Sequence, residues 1–350
     1  MIDLKTVLVP TDFSELSLQA LPYARELARE HRAEIVLAHA CQHACDLDIV
    51  RRRLDELAAE LAPLPHRVEV RVSSPVSFLV DLARGMERTL MVVATHAWHG
   101  PDRQVLGSVA ERLVSRAPCA VLTLKPDGGF LRELEEVAPH LPDPTEVRGP
   151  ELRQRPKTRD DFFFEQQDRH LVVESRKARQ KEEARVHGRQ THRFQLGTIL
   201  VPVDFSERGR QALAVAAGLA RHYGASLTLL HVLEEGRRGK GRPEREAQRL
   251  DVARAQLEAL KEEVAPVPCE VDVEAGPAAD CIVARARRLS AGLIVIASRG
   301  RRSLVGIPLG STAKVVVRRA GCPVLTVKGP NATELVGPLE DEDEVPSTPS

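Results

Sequence analysis

A chain of 350 residues is long enough for about two ordinary domains, and its 50 basic side chains are matched by 50 acidic ones. That balance gives no overall field pointing to nucleic acid or to an anionic membrane surface. The apolar fraction of 43% supports ordinary cores, but aromatics at 3% mean cores of Val, Leu, Ile and Ala, and six cysteines in this length make no disulfide framework. No stretch approaches 18 consecutive apolar residues, and the residues before Asp12 are too few for a signal-peptide core, so a reducing, cytoplasmic setting is expected.

The first strand is read from "TVLVPTD", ending at Asp12, and a second from "IVLAHA", which contains His39. Then "HACQHAC" sets His39, Cys41, His43 and Cys45 at every second position. Tetrahedral zinc takes such ligands. Four ligands on one extended segment cannot easily surround one ion, however, and a structural strand end is the plainer reading. Further on come "PLP" at 63–65, the apolar run "LMVVATH" and the segment "ATHAWHGPDRQVLGS" at 94–108. The half closes with "LGSVAERLVSRAPCAVLTLK".

Residues 127–195 are acidic and Pro-rich at first, then densely charged around "FFF" at 162–164 and "LVV" at 171–173. They read as a linker, partly helical or disordered. Its basic run is interrupted by acids, which suits a solvated face better than a nucleic-acid contact.

After the linker the first half returns. "TILVPVD" repeats "TVLVPTD" at a spacing of 192 residues, and "LTLLHV" repeats "IVLAHA" at the same spacing. From "PVP" at 266–268 onward the spacing is 203, so the second copy carries 11 extra residues around the Gly- and Arg-rich "EEGRRGKGRPER". In the second copy Ala212, Val215, Ala216 and Leu219 fall on one helical face. "LIVIA" is apolar on both faces, as a parallel strand covered by helices on each side would be. Five-fold alternation of strand and helix in each copy predicts α/β architecture: two doubly wound parallel-sheet domains in tandem, at 1–126 and 196–328. The acidic tail, 329–350, is expected to be disordered.

Ligands of open α/β sheets sit beyond the carboxyl ends of the strands, where the strand order reverses. Asp12 and Asp204 lie just past the first strands. "ASRGRRSLVGIPLGS" at 297–311 and its counterpart at 94–108 lie just past the fourth. If these strands flank the reversal, each aspartate faces a loop running into a helix. The carboxylate accepts hydrogen bonds from a base or sugar, and loop amides with the helix N-terminus hold a phosphate. Ser108 and Ser311 are expected as helix N-caps. The plainer reading of each Gly-Ser is a turn and a cap with no ligand. Arg299, Arg301 and Arg302 add positive charge in the second copy; the first has Thr95, His96 and Trp98 there.

These motifs resemble tandem universal stress proteins, over both copies but not over linker or tail. The resemblance implies five strands per domain in the order 3-2-1-4-5 and pairing of the two domains through their last strands. It also implies ATP, with Mg2+, on a loop of the form G-x-x-G, nine residues, then G-S or G-T, with the aspartate after the first strand at the adenine. The second copy supplies Ala297, Gly300, Gly310 and Ser311 at that spacing, only the first glycine being replaced. With Asp204, Val232, Arg299 and Thr312 they form the expected nucleotide site. The first copy has Ala94, Ala97, Gly107 and Ser108 with Asp12, a degenerate site lacking both leading glycines. If position 97 requires a positive φ, alanine costs what glycine does not.

A stress-response module that binds ATP in its second copy and signals through unknown protein partners is therefore expected. Homodimerisation is left open. The rivals are a nucleotide-independent interaction scaffold and a metal or redox sensor through residues 39–45. The sequence has no P-loop and no "HIGH" or "SGGxDS" signature. Catalysis is left at slow ATP hydrolysis or autophosphorylation on Ser311.

Overall fold

The computed structural model describes residues 2–41, 43–95, 107–125, 196–234, 243–300 and 309–328. The linker at 127–195, the tail at 329–350, and Ala97, Arg301 and Arg302 lie outside the described residues. The first half runs β1 (Thr6–Pro10), α1 (Glu15–Leu18), α2 (Ala20–His31), β2 (Glu34–Cys41), a 3-10 turn (Ala44–Asp46), α3 (Leu47–Ala59), β3 (His66–Val72), α4 (Pro75–Arg84), β4 (Thr89–Ala94), α5 (Ser108–Arg116) and β5 (Ala120–Leu124). The second runs β6 (Thr198–Pro202), α6 (Glu207–Tyr223), β7 (Ser226–Leu233), α7 (Pro243–Glu263), β8 (Cys269–Ala275), α8 (Ala278–Arg288), β9 (Leu293–Ala297), α9 (Ser311–Arg319) and β10 (Val324–Val327).

One ten-stranded sheet carries both halves, in the order β3-β2-β1-β4-β5-β10-β9-β6-β7-β8. Each half is parallel and has the expected order 3-2-1-4-5. The halves join edge to edge through β5 and β10, which run antiparallel. Leu122 faces Leu325 in that pair, and these are the same position of the two copies, so a pseudo-twofold axis passes between them. Thr123 Oγ1 donates to the Val324 carbonyl at 3.0 Å, and Thr326 Oγ1 to the Val121 carbonyl at 3.1 Å. The last strands thereby cover each other's exposed edges, which would otherwise template aggregation.

Successive strand residues point to opposite faces. Val7, Val9, Ile199 and Val201 enter one core with Leu122 and Leu325, while Leu8 and Leu200 enter the other with Val121 and Val324. Both cores cross the junction, so neither half owns its interior. Ala212, Val215 and Ala216 are buried, as their helical spacing predicts.

The copies differ where the first helix begins. In the second, α6 is continuous for 17 residues. In the first, α1 stops at Leu18 and α2 starts at Ala20. Pro22 supplies the cause: it has no N–H to give the Leu18 carbonyl and its ring crowds that group. Its counterpart, 192 residues on, is Ala214.

Each copy also reaches into the other by a lysine at the end of its last strand. Lys125 Nζ donates to the Arg318 carbonyl at 3.1 Å and Lys328 Nζ to the Ala117 carbonyl at 3.2 Å, the closing carbonyls of α9 and α5. These are orphan acceptors at the negative ends of helix dipoles. Both lysines are buried, at 4% and 8% exposure. Burial lowers each pKa to about 8, against opposing pulls from the neighbouring thiols Cys322 and Cys119 respectively. A lysine whose pKa is depressed by folding binds fewer protons folded than unfolded, so stability rises with pH from about 8 toward the unfolded value. Burial raises Cys119 and Cys322 to about 11, and stability should fall again once unfolded thiols ionise above about 9. Denaturant midpoints should therefore climb between pH 8 and 9, and a Lys125→Met, Lys328→Met double variant should flatten the climb. An unchanged slope in that variant would refute the assignment.

Candidate functional site

β6 lies between β7 and β9, and β9 between β6 and β10, so the chain leaves β6 in one direction and β9 in the other. This is the reversal point, and Asp204 stands at its mouth. The turn after β6 is tight: Phe205 has φ of 57°, and its ring lies 4.5 Å from that of His231, whose Nδ1 bonds the Val203 carbonyl at 2.7 Å. The first copy repeats this arrangement with Phe13 (φ 62°), His39 and the Thr11 carbonyl. The histidines therefore brace the turns that present the aspartates.

Asp204 Oδ1 accepts from the Ser206 amide at 3.1 Å and the Ser206 hydroxyl at 2.6 Å, while Ser206 caps α6 through the Gly209 amide. Two glycines then close on the carboxylate. A Cβ on Gly209 would lie 2.8 Å from Asp204 Oδ1, and one on Gly300 would lie 2.8 Å from Asp204 Oδ2. Both distances are closer than a real Cβ approaches another atom. Asp204 is thus seated between two bare backbone segments, one at the start of α6 and one after β9. A Cβ at position 300 would be accommodated only if the Asp204 carboxylate moved. Gly300 is not among the positive-φ residues; Ala97, for which a positive φ is the condition, lies outside the described residues.

Gly310 follows across the loop. Its amide donates to the Ser298 carbonyl at 2.8 Å, and a Cβ there would meet Ser298 O at 3.5 Å and Gly300 N at 3.7 Å, ordinary contact distances. The N-caps of α9 and α5 are Gly310 and Gly107, not Ser311 and Ser108, and neither cap makes a side-chain hydrogen bond. Both glycines have extended ψ, which puts each serine at the first helical position. The first amides of α9 consequently have no side-chain acceptor from the cap. Ser311 is exposed and Thr312 half-buried beside them; Ala297 closes β9, and Val232 lies half-buried near the end of β7.

The first copy keeps the aspartate and changes its seat. Asp12 Oδ1 accepts from the Ser14 amide at 3.0 Å and the Ser14 hydroxyl at 2.5 Å. Partial burial pulls its pKa up, but the hydrogen bonds from Ser14 and Ser17 outweigh that and hold it below the ordinary value. Where the second copy has Gly209, the first has Ser17, whose hydroxyl bonds Thr11 Oγ1 at 3.0 Å and donates to the Ser14 carbonyl at 2.9 Å. Ala94 ends β4, Gly107 is half-buried and Ser108 exposed. The cysteine–histidine run disperses: Cys41 is buried at the end of β2, His43 is exposed, and the Cys45 side chain lies outside the described residues. Among the described residues no group of three or more His, Cys, Asp or Glu is placed to hold a metal.

The family model described as the universal stress protein family matches residues 3–125 and 196–328. The chain belongs to that family. A universal stress protein from Methanocaldococcus jannaschii is 27% identical over 139 residues, 35% of this chain and 82% of the relative. Another, from Thermus aquaticus, is 34% identical over 138 residues, 37% of this chain and 98% of the relative. Over the whole length, a universal stress protein structure from Archaeoglobus fulgidus matches with a TM-score of 0.55 at 18% identity, covering 92% of this chain and 96% of the other. At that identity the match speaks for the fold. No described helix is long and apolar enough to cross a membrane.

Gly209 was not singled out from sequence, although the repeat offers the signal: Ser17 stands at its position in the first copy. Arg208, beside it, and Lys328, the last residue of the repeated "LTLK"/"LTVK", were also passed over.

Proposed function

We propose that this universal stress protein binds ATP, with Mg2+ accompanying its phosphates, in the second copy only. The carrying observation is the seat of Asp204, each of whose oxygens lies where a glycine leaves out a Cβ. That seat holds the carboxylate at the reversal point, where it can accept from the exocyclic amine of adenine. Gly300, Gly310 and the first amides of α9 at Ser311 and Thr312 form the backbone surface suited to the phosphates. The same positions of the first copy carry Ser17 and Ala97, and its site is read as empty of nucleotide. Bound ATP makes the chain a sensing or protective module in the stress response; chemistry on the nucleotide is not part of the reading.

Titration calorimetry on the full chain should show about one ATP site. Asp204→Ala should weaken ATP roughly ten- to hundredfold, the value of a hydrogen bond to a charged group, and erode preference for adenine over guanine. Asp12→Ala should leave binding unaltered. No site, or two equal sites, would refute the proposal, and absence of binding would favour a nucleotide-independent scaffold.

A further inference from the structure

A cleft of about 580 Å³ runs between the two copies. From the second copy it is lined by Arg208 at the start of α6, Arg299 after β9 and Lys328 after β10. From the first it is lined by Arg84 at the end of α4 and Arg116 at the end of α5. The junction brings these together. Because β5 and β10 run antiparallel, the carboxyl edge of the second half's sheet meets the amino edge of the first half's. The carboxylate in the described lining is Asp81, which bonds Arg84 at 2.8 Å. The described lining thus holds five basic residues and one acidic one.

Helix-dipole complementarity accounts for Arg84 and Arg116, at the ends of α4 and α5, and for Lys328 at the closing carbonyl of α5, but not for Arg208 or Arg299. Lys328 spends one of its three N–H groups on the Ala117 carbonyl. The arginine guanidinium fits two phosphate oxygens at once. Two of its lining residues, Arg208 and Arg299, are the chain neighbours of Gly209 and Gly300, which flank the Asp204 carboxylate.

We infer that the cleft is a phosphoanion site completed by the first copy, with Arg84 and Arg116 binding a phosphate chain that enters from the second. The ligand class is a linear phosphate chain, carried either by a nucleotide seated at Asp204 or free in solution. Only the first of these sources rests on the proposed function. The first copy, whose own site is degenerate, thereby acquires a role in the second copy's ligand binding.

The test is calorimetric, on the full chain, with inorganic tripolyphosphate, ATP and adenosine as separate probes. Tripolyphosphate should bind, and an Arg84→Gln, Arg116→Gln double variant should bind it at least about tenfold more weakly. The Arg84→Lys, Arg116→Lys variant keeps the charge and should recover part of the loss, which a folding defect would not allow. If ATP weakens in the glutamine variant while adenosine does not, the chain belongs to the nucleotide. If ATP is unaffected while tripolyphosphate weakens, the anion is a free one, and the inference holds. Binding of tripolyphosphate through these arginines with no binding of ATP would remove the proposed function and leave this inference standing. No binding of tripolyphosphate by the native chain, or equal binding by the glutamine variant, would overturn it.

Discussion

Gly300→Ala is expected to weaken ATP binding roughly ten- to hundredfold while the protein stays folded. The added methyl would lie 2.8 Å from Asp204 Oδ2, so the carboxylate must rotate away from its seat. The position does not need a positive φ, and alanine therefore adds no backbone strain of its own. What would be lost is one hydrogen bond from the base to a charged acceptor, on the order of 1.5–3 kcal/mol. Because Gly300→Ala acts through Asp204, it should add little to Asp204→Ala, and the double-mutant cycle should be strongly non-additive. Additive losses would mean that the methyl obstructs the ligand directly. Native-like affinity in the single variant would show that Asp204 does not read the base. Gly310→Val supplies the contrast: the space around Gly310 is ordinary, and its side chain should weaken ATP, GTP and tripolyphosphate alike.

The largest stability effect is expected at the junction. Leu325 is 5% exposed, faces Leu122 across the β5–β10 pair, and belongs to the core shared by both halves. Leu325→Asp puts a carboxylate into that apolar core, and a buried uncompensated charge costs on the order of 3–5 kcal/mol. Guanidinium unfolding should show the midpoint falling for both copies in one transition, because both cores cross the junction. Val72→Asp is the control: Val72, at the end of edge strand β3, is 42% exposed, and the change there should stay within about 0.5 kcal/mol. Two separate transitions in the Leu325 variant, with the first copy's unmoved, would show that the halves hold their own interiors.

Much of the fold was legible because the chain states it twice. "VPTDFSE" and "VPVDFSE" mark the same strand end, and "LIVIA" is buried as its double-sided apolarity requires. The strand order and the pairing of last strands came from resemblance, since β-branched runs alone do not say which neighbours they choose. The site was legible as a set of positions and illegible as geometry. Ser311 reads as a cap from its residue type, but the extended ψ of Gly310 makes the glycine the cap. Gly300 reads as part of a phosphate loop, and its closeness to the Asp204 carboxylate is not visible in the sequence. Arg84 and Arg116 carry no motif at all. Only the antiparallel junction sets them beside Arg299.

The pseudo-twofold axis has one further consequence. In a symmetric pair of identical subunits, a residue near the axis meets its own twin. Here the equivalent positions on α5 and α9 are Glu111 and Lys314, and they form an ion pair; a hydrogen bond from Lys314, with Arg318 nearby, holds the Glu111 carboxyl below its ordinary pKa. On the other face the equivalent Glu30 and His222 meet at 3.2 Å, and the equivalent His31 and Tyr223 at 3.0 Å. Joining two copies in one chain lets twin positions differ, so an acid can meet a base where two identical subunits would set acid against acid. The halves have become a left and a right. Two first halves placed together would oppose Glu111 to Glu111, two second halves Lys314 to Lys314, and only the mixed pair closes.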